Sequence, residues 1–421
     1  MKHVHPNETK REIGMKITDI KSAVIGEQIV LRVCTDKGID GFSEMEKKDY
    51  IIPLIPFFAD VIKDCDPTNV ASVVRRMRRL GGFKPWGKIM SAIEMAVWDI
   101  AGKEAGLPVY KLLGGKVRDK VRIYNGGVVN PNPPHPIADT PEKVGENILA
   151  LSEMPEGLTI VKMGIGFHGH FHEKNFDLTD YTYNAYPDPN DKLTPFKIGG
   201  LLTEKGLDLY VDYISKVKSV IKDRVGLALD CGPGMTAIDA LRLAKAVEPL
   251  NVLWLEDTIA GDFTPYTLAH IYRDITMQTT TPIHTGEQLY LRENCRELIE
   301  TRAINVIGPD PADVGGIAEL KWIAEYADLH GIMMAPHGGG DGIFGMAALT
   351  HVCSTMPDNY IAYEFPPGRP SWYYDIVEGL PDQFLRDGHV QVWDKPGLGV
   401  EFNINKASKY LDPEDRNFFL K

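Results

Sequence analysis

The chain has 421 residues, 43% of them hydrophobic and 25% charged, a net charge of −12, and five scattered cysteines with no C-x-x-C pair. These proportions argue against wholesale disorder and against a nucleic-acid partner, and the cysteine pattern against a disulfide framework or zinc ribbon. No apolar run approaches the ~18 residues of a membrane span, and residues 1–14 lack the apolar centre of a secretory signal. The expectation is a polar N-terminal tail on a cytoplasmic protein with neither a membrane nor a nucleic-acid partner.

From Met15 the pattern is β-like: ITDIKSAVIG, EQIVLRVCTDKG and IDGFSEME are rich in β-branched residues and separated by turn signals. A helical stretch is expected from Ile51 to about Leu80, then a Gly-Gly-Phe-Lys-Pro-Trp-Gly loop over residues 81–87. The next helix places Ile89, Ile93, Ala96, Val97 and Ile100 on one face. Strands followed by helices, without alternation, predict an α+β domain over residues 15–115.

Beyond that domain the rhythm changes. Short apolar runs recur as VRIYNGG, TIVKMGIG, VGLALDCG, VLWLEDT, PIHTGEQ, AINVIGPD, GIMMAPHG and YIAYEFPP, with amphipathic segments between most of them. Eight such units over residues 116–367 match the size of a (β/α)8 barrel, about 250 residues. No G-x-G-x-x-G follows the first run to favour a doubly wound sheet. A long polar and aromatic segment, residues 167–200, is expected to form a lid or binding loop. Residues 368–421, with strand-like HVQVWD and VEFNIN, are expected to return to the first domain.

In a barrel, the C-terminal strand ends converge on one face, and here they carry Lys162, Asp230, Glu256, Glu287, Asp310, His337 and Glu364. Asp230, Glu256 and Glu287 end three consecutive strands, spaced 26 and 31 residues apart. Three hard oxygen donors suit Mg²⁺, with positions left for water and substrate; singly, each also fits a helix cap or ion pair. His337, in MAPHGGG, and Asp310, in NVIGPD, end neighbouring strands and suit a base with an orienting carboxylate, Asp313 being a second possible partner. Lys162 is an acid, a base or a counter-charge, or simply the ion-pair partner of a metal carboxylate. Glu364 suits a hydrogen bond to a substrate oxygen.

Weaker candidates lie on loops. His168, His170 and His172 alternate but read best as a solvated segment, whereas Tyr181, Tyr183 and Tyr186 either close over a substrate or pack the loop. Lys84 and Trp86 sit on a first-domain loop that either caps the barrel mouth or packs on the surface; with Tyr183 they are the substrate-contact candidates. The basic run VVRRMRRL reads as the polar face of a helix.

The ordered set SAIEMAVWDIAGKEAGLPVYKLLGG, LALD, LWLED, TGEQ, PDPADVGGI and MAPHGGG resembles the enolase superfamily, in particular its mandelate racemase subgroup. The resemblance implies an α/β fold, a modified (β/α)7β TIM-type barrel with an α+β capping domain. It implies Mg²⁺ on Asp230, Glu256 and Glu287, a His337–Asp310 dyad and a hydrogen-bonding Glu364, in chemistry that removes a proton α to a carboxylate. Racemases of the subgroup carry K-x-K at the second strand, but here the triplet is Lys162-Met163-Gly164. The sequence therefore looks more like the sugar-acid dehydratases, acting on mannonate, gluconate or galactonate. Some of these have a His two residues after the first metal ligand, where this chain has Gly232. The expected function is Mg²⁺-dependent dehydration of a small-molecule aldonate by a symmetric homo-oligomer. The alternatives are a racemase or epimerase and a non-catalytic ligand-binding barrel.

Overall fold

The structure is a computed structural model and describes residues 14–79, 84–126, 140–165, 181–183, 201–232, 235–259, 267–338, 342–365, 371–411, 415 and 418. The N-terminal tail and most of the 167–200 segment, with His168, His170, His172 and Tyr186, lie outside these residues.

An antiparallel meander opens the fold: β1 (Ile17–Ile25), β2 (Gln28–Thr35) and β3 (Gly41–Glu46). Against it lie α1 (Ile55–Ile62), α2 (Val70–Arg78) and the long α3 (Lys84–Ala105). The single helical stretch expected after Ile51 is broken in two. Asp64 takes a left-handed φ of 63° and Pro67 follows, with Asp66 accepting from the backbone N–H of Thr68. A proline without an N–H and a left-handed residue both end a helix. Ile89, Ile93, Ala96, Val97 and Ile100 of α3 are all fully buried, together with Ile29, Leu31 and Val33 of β2.

A four-residue helix α4 (Val109–Leu112) leads into the barrel. Its strands are β4 (Lys120–Tyr124), β5 (Ile160–Gly164), β6 (Gly226–Asp230), β7 (Leu255–Glu256), β8 (Ile283–Thr285), β9 (Val306–Ile307), β10 (Met333–Met334) and β11 (Tyr363–Glu364). Strands β5 to β10 pair in parallel in sequence order. Parallel bridges Asn125–Val161 and Met334–Tyr360 join β4 to β5 and β10 to β11, and β11 pairs in parallel with β4. The ring is thereby closed, so no barrel strand is left as an edge.

Helices α5 (Pro141–Glu153), α6 (Glu204–Ile221), α7 (Ala237–Ala246), α8 (Ala269–Thr276) and α9 (Arg292–Glu300) follow β4 to β8. After β9 come the short α10 (Pro311–Val314) and α11 (Ile317–Leu329), and after β10 comes α12 (Ile343–Cys353). Behind β11 the first described helix is the five-residue α13 (Ser371–Asp375). Among the described residues, eight strands and seven helices of eight residues or more make the modified TIM-type barrel, and β1–β3 with α1–α3 form its capping domain.

The C-terminal segment adds β12 (Val377–Glu378), β13 (Leu385–Arg386), β14 (His389–Gln391), β15 (Glu401–Phe402) and α14 (Ile404–Ala407). It touches both halves of the molecule: β14 pairs antiparallel with β4, while the N–H of Leu398 donates to Asp99 of α3 at 2.8 Å and Phe402 stacks on Phe42. No helix among the described residues is long and apolar enough to cross a membrane.

Candidate active site

Charged side chains gather where the apolar barrel strands end. The parallel register sets Gly164 beside Asp230, Asp230 beside Glu256, and Glu364 beside Tyr124, so strand ends from both sides of the ring meet over the barrel axis. Lys162 is only 2% exposed, and its ammonium lies 2.5 Å from Glu256 Oε1, 3.4 Å from Asp230 Oδ2 and 3.5 Å from Glu364 Oε2. Burial disfavours its charge, but the carboxylates of Glu256, Glu364 and Asp230 outweigh that and hold it protonated well above the usual lysine range.

On the other side, His337 Nδ1–H donates to Asp310 Oδ2 at 2.6 Å. Asp310 Oδ1 in turn accepts from the N–H of Ala312, capping α10, which fixes the carboxylate and through it the imidazole. The free nitrogen, Nε2, faces Glu287 Oε2 and Glu364 Oε2, each at 3.4 Å. His337 is partly exposed, so Nε2 is the nitrogen within reach of an incoming molecule. Burial lowers its affinity for a proton, yet the charges of Glu364 and Glu287 and the bond to Asp310 raise it well above the ordinary imidazole value.

Glu364 Oε2 joins the two halves. It lies 3.5 Å from Lys162 Nζ, 3.4 Å from His337 Nε2 and 3.4 Å from the Tyr124 hydroxyl. Room for this carboxyl exists only because residue 126 is glycine: a Cβ there would fall on top of Oε1 and 2.9 Å from Cγ.

Several groups escaped the sequence reading. Trp254 Nε1–H donates to Glu256 Oε2 at 2.8 Å, and His284, stacked on Trp254, sets Nδ1 3.4 Å from the same oxygen. Tyr124 packs edge-on against Trp254, and the Lys162 ammonium stands 5.9 Å from the Tyr124 ring centre. Asp257, buried with a φ of 46°, accepts from the Thr285 hydroxyl. Burial and then the charges of Glu287 and Glu256 push its carboxyl well up. Its signal was in plain view as the second acid of LWLED. Asp313, the alternative partner for His337, pairs instead with Lys88 of α3 at 2.8 Å.

The loop candidates stand apart. Tyr183 is 73% exposed and shares no hydrogen bond or ion pair with the cluster. Lys84 and Trp86 fall in the first turn of α3, but their side chains lie outside the described residues.

The donor chemistry at the strand ends fits a hard divalent cation. Asp230, Glu256 and Glu287 supply oxygen, and burial keeps the neighbouring Cys231 thiol neutral. As the side chains stand, Lys162 lies against Asp230 and Glu256 while Glu287 turns to His337, and among the described residues no three such groups are arranged to hold a metal ion. Chemically, the cluster offers an imidazole held by a carboxylate, a fixed cation and a set of hard oxygen donors.

Comparison with known proteins decides the family. Residues 156–407 match the family described as enolase C-terminal domain-like, and residues 2–114 match the mandelate racemase / muconate lactonizing enzyme N-terminal domain. The chain belongs to the mandelate racemase/muconate lactonizing enzyme family of the enolase superfamily. A D-xylonate dehydratase of Haloferax volcanii is 29% identical over 94% of this chain and 89% of its own. A D-mannonate dehydratase of Caulobacter vibrioides is likewise 29% identical, over 94% and 95%. Among solved structures, a mandelate racemase/muconate lactonizing enzyme-like protein of Rubrobacter xylanophilus superposes with a TM-score of 0.78 at 26% identity, covering 95% of this chain and 98% of its own.

Proposed function

We propose that this family member is an Mg²⁺-dependent dehydratase of an aldonic acid, removing the proton at C2 and the hydroxyl at C3 to give a 2-keto-3-deoxy acid. The observation that carries the reading is the His337–Asp310 bond of 2.6 Å, which leaves Nε2 facing Glu287 and Glu364. The dehydratase names of relatives matched along most of their length support it.

The proton at C2 of an aldonate is too weakly acidic for imidazole unless the charge that develops on the carboxylate is stabilised. A Mg²⁺ ion held by Asp230, Glu256 and Glu287 supplies that charge stabilisation when bound. The chain's own residues do the rest. Glu287 and Glu364 raise the His337 imidazole; with Glu287 committed to the ion that pull would weaken, freeing Nε2 to take the C2 proton while Asp310 holds the ring and stabilises the imidazolium. Lys162, kept protonated, adds a fixed positive charge beside the substrate oxygens. Glu364 sits where it would hold a substrate hydroxyl or oxyanion.

The imidazolium then returns its proton to the departing 3-hydroxyl as the C3–O bond breaks and the C2 electron pair forms the double bond. Water leaves, and the enol rearranges to the keto acid. Gly164, where racemases of the family carry the second lysine of K-x-K, counts against racemisation, which needs a second base on the face opposite His337.

The test is a panel of aldonates including xylonate, galactonate, gluconate and mannonate, assayed for 2-keto-3-deoxy acid with and without Mg²⁺. Turnover that vanishes on chelation and returns with Mg²⁺ supports the reading. Epimerisation at C2 without keto acid, or full turnover in metal-stripped protein, overturns it.

A further inference from the structure

One flank of the cap–barrel junction holds a cavity of about 560 Å³ between α2, α3 and the starts of α9 and α11. Its apolar lining is Val70, Ala71, Val74 and Trp98, and none of its residues belongs to the strand-end cluster. Four arginines edge it: Arg75, Arg78, Arg79 and Arg292. The first three come from the basic run VVRRMRRL, which reads from the sequence as the polar face of a helix, in a chain whose net charge is −12.

The acids lining the cavity are already engaged. Glu94 accepts from the N–H groups of Ile317 and Ala318 and from Trp98 Nε1. Glu319 is gripped by Arg292 through Nε at 2.8 Å and Nη2 at 2.9 Å. Arg78 Nη2 pairs with Glu293 at 2.6 Å. Arg75 and Arg79 have no carboxylate partner among the described residues, so two guanidinium forks stand free at the mouth.

We infer that this cavity binds a small organic anion carrying two or more carboxylate or phosphate groups on an apolar or planar body. Guanidinium forks match the paired oxygens of both anion types, and the apolar lining with Trp98 accepts the body. The volume lies in the range of small-ligand pockets, roughly 300–1,000 Å³. A bound anion would tie α2 of the cap to α9 and α11 of the barrel, so it would act on the docking of the two domains. The inference is independent of the proposed dehydratase activity.

The test titrates the full-length chain with benzene-1,2,4-tricarboxylate, which carries the planar body, and with citrate, which lacks it, by calorimetry at physiological salt. The expected result is saturable binding of at least one probe with a raised melting temperature. R75A/R79A should weaken that binding about tenfold or more, and H337N should leave it unchanged. Both arginines are exposed, so the double variant should melt as the parent does without anion, and R75K/R79K should restore part of the affinity. Absence of saturable binding, binding that survives R75A/R79A, or binding lost in H337N would overturn the inference. So would arginine-dependent self-association without anion binding, which would assign the arginines to a second copy of the chain.

Discussion

Replacing Gly126 with alanine adds one methyl group and, on the reasoning above, disables the site without unfolding the protein. Gly126 does not have a positive φ, so the backbone accepts alanine. The new Cβ, however, would coincide with Glu364 Oε1 and lie 2.9 Å from Cγ. Carbon contacts settle at about 3.5–4.0 Å, so the carboxyl must withdraw by roughly 2 Å. Its Oε2 now lies 3.5 Å from Lys162 and 3.4 Å from His337, and a displacement of that size breaks both relations. Losing one fixed group aimed at the reacting atoms costs about 10²–10³ in kcat, about 3–4 kcal/mol. The assay is kcat and KM for keto-acid formation on the best aldonate, with a thermal melt alongside. The expectation is a fall in kcat of that order with a melting temperature close to the parent's. Should G126A keep kcat within about threefold of the parent, Glu364 plays no part in the reaction and the geometric argument fails.

Replacing Asp310 with asparagine removes the charge behind His337 and should lower kcat about 10²–10⁴-fold with little change in KM; a change confined to KM would contradict the dyad. Lys162→Met leaves Glu256, 1% exposed, without its ammonium partner and should destabilise the metal-free protein by about 3–5 kcal/mol in chemical denaturation. Mg²⁺ should raise the melting temperature of the parent by mass action, and a parent melt indifferent to Mg²⁺ would contradict the carboxylate assignment. For His351, burial lowers the imidazole to about 4, and its Nε2–H donates to Leu398 O at 3.1 Å. A depressed folded value means a contribution present above the unfolded value of about 6.5 and lost as pH falls towards 4, about 3 kcal/mol in all. H351Q should therefore flatten the decline in melting temperature across that window.

The gathering of strand ends was legible because a charge closing an apolar run is conspicuous, and each of Lys162, Asp230, Glu256 and Glu364 does so. What the sequence hid were polar groups inside apolar runs. Tyr124 and Trp254 read as core, and only the closing of the ring brings Tyr124 to Glu364, 240 residues away. Trp254 donates two residues along to Glu256, a bond that needs both side chains on the same face of a short strand. The choice between Asp310 and Asp313 for His337 rested on strand position alone. Space decides it, because Lys88, 225 residues from Asp313, claims that carboxylate. The break between α1 and α2 is hard to read in the sequence because apolar residues recur on both sides of Pro67, Ile62 before it and Val70 after it.

Similar long-range ties bind the cap to a barrel that closes by itself. The strands ending near Asp310 and His337 are followed by α11 and α12, and both helices begin on carboxylates sent from the cap. Glu94 of α3 accepts from the N–H groups of Ile317, at 2.7 Å, and Ala318, at 3.0 Å. Glu44 of β3 accepts from the N–H of Gly345 at 2.9 Å. Gly316 and Gly342 leave the room, since a Cβ at either would overlap the carboxylate. Buried carboxylates at helix starts satisfy free N–H groups and meet the positive end of the helix. The cost is visible at Glu94, where burial pushes the carboxyl up to about 7 despite those bonds. Lys88 adds a third tie at Asp313, one turn beyond Asp310. A 2.6 Å bond between residues just beyond two different strands holds only if the elements behind them do not slide. The cap's charges hold the starts of the helices behind β9 and β10, next to the segments that carry Asp310 and His337.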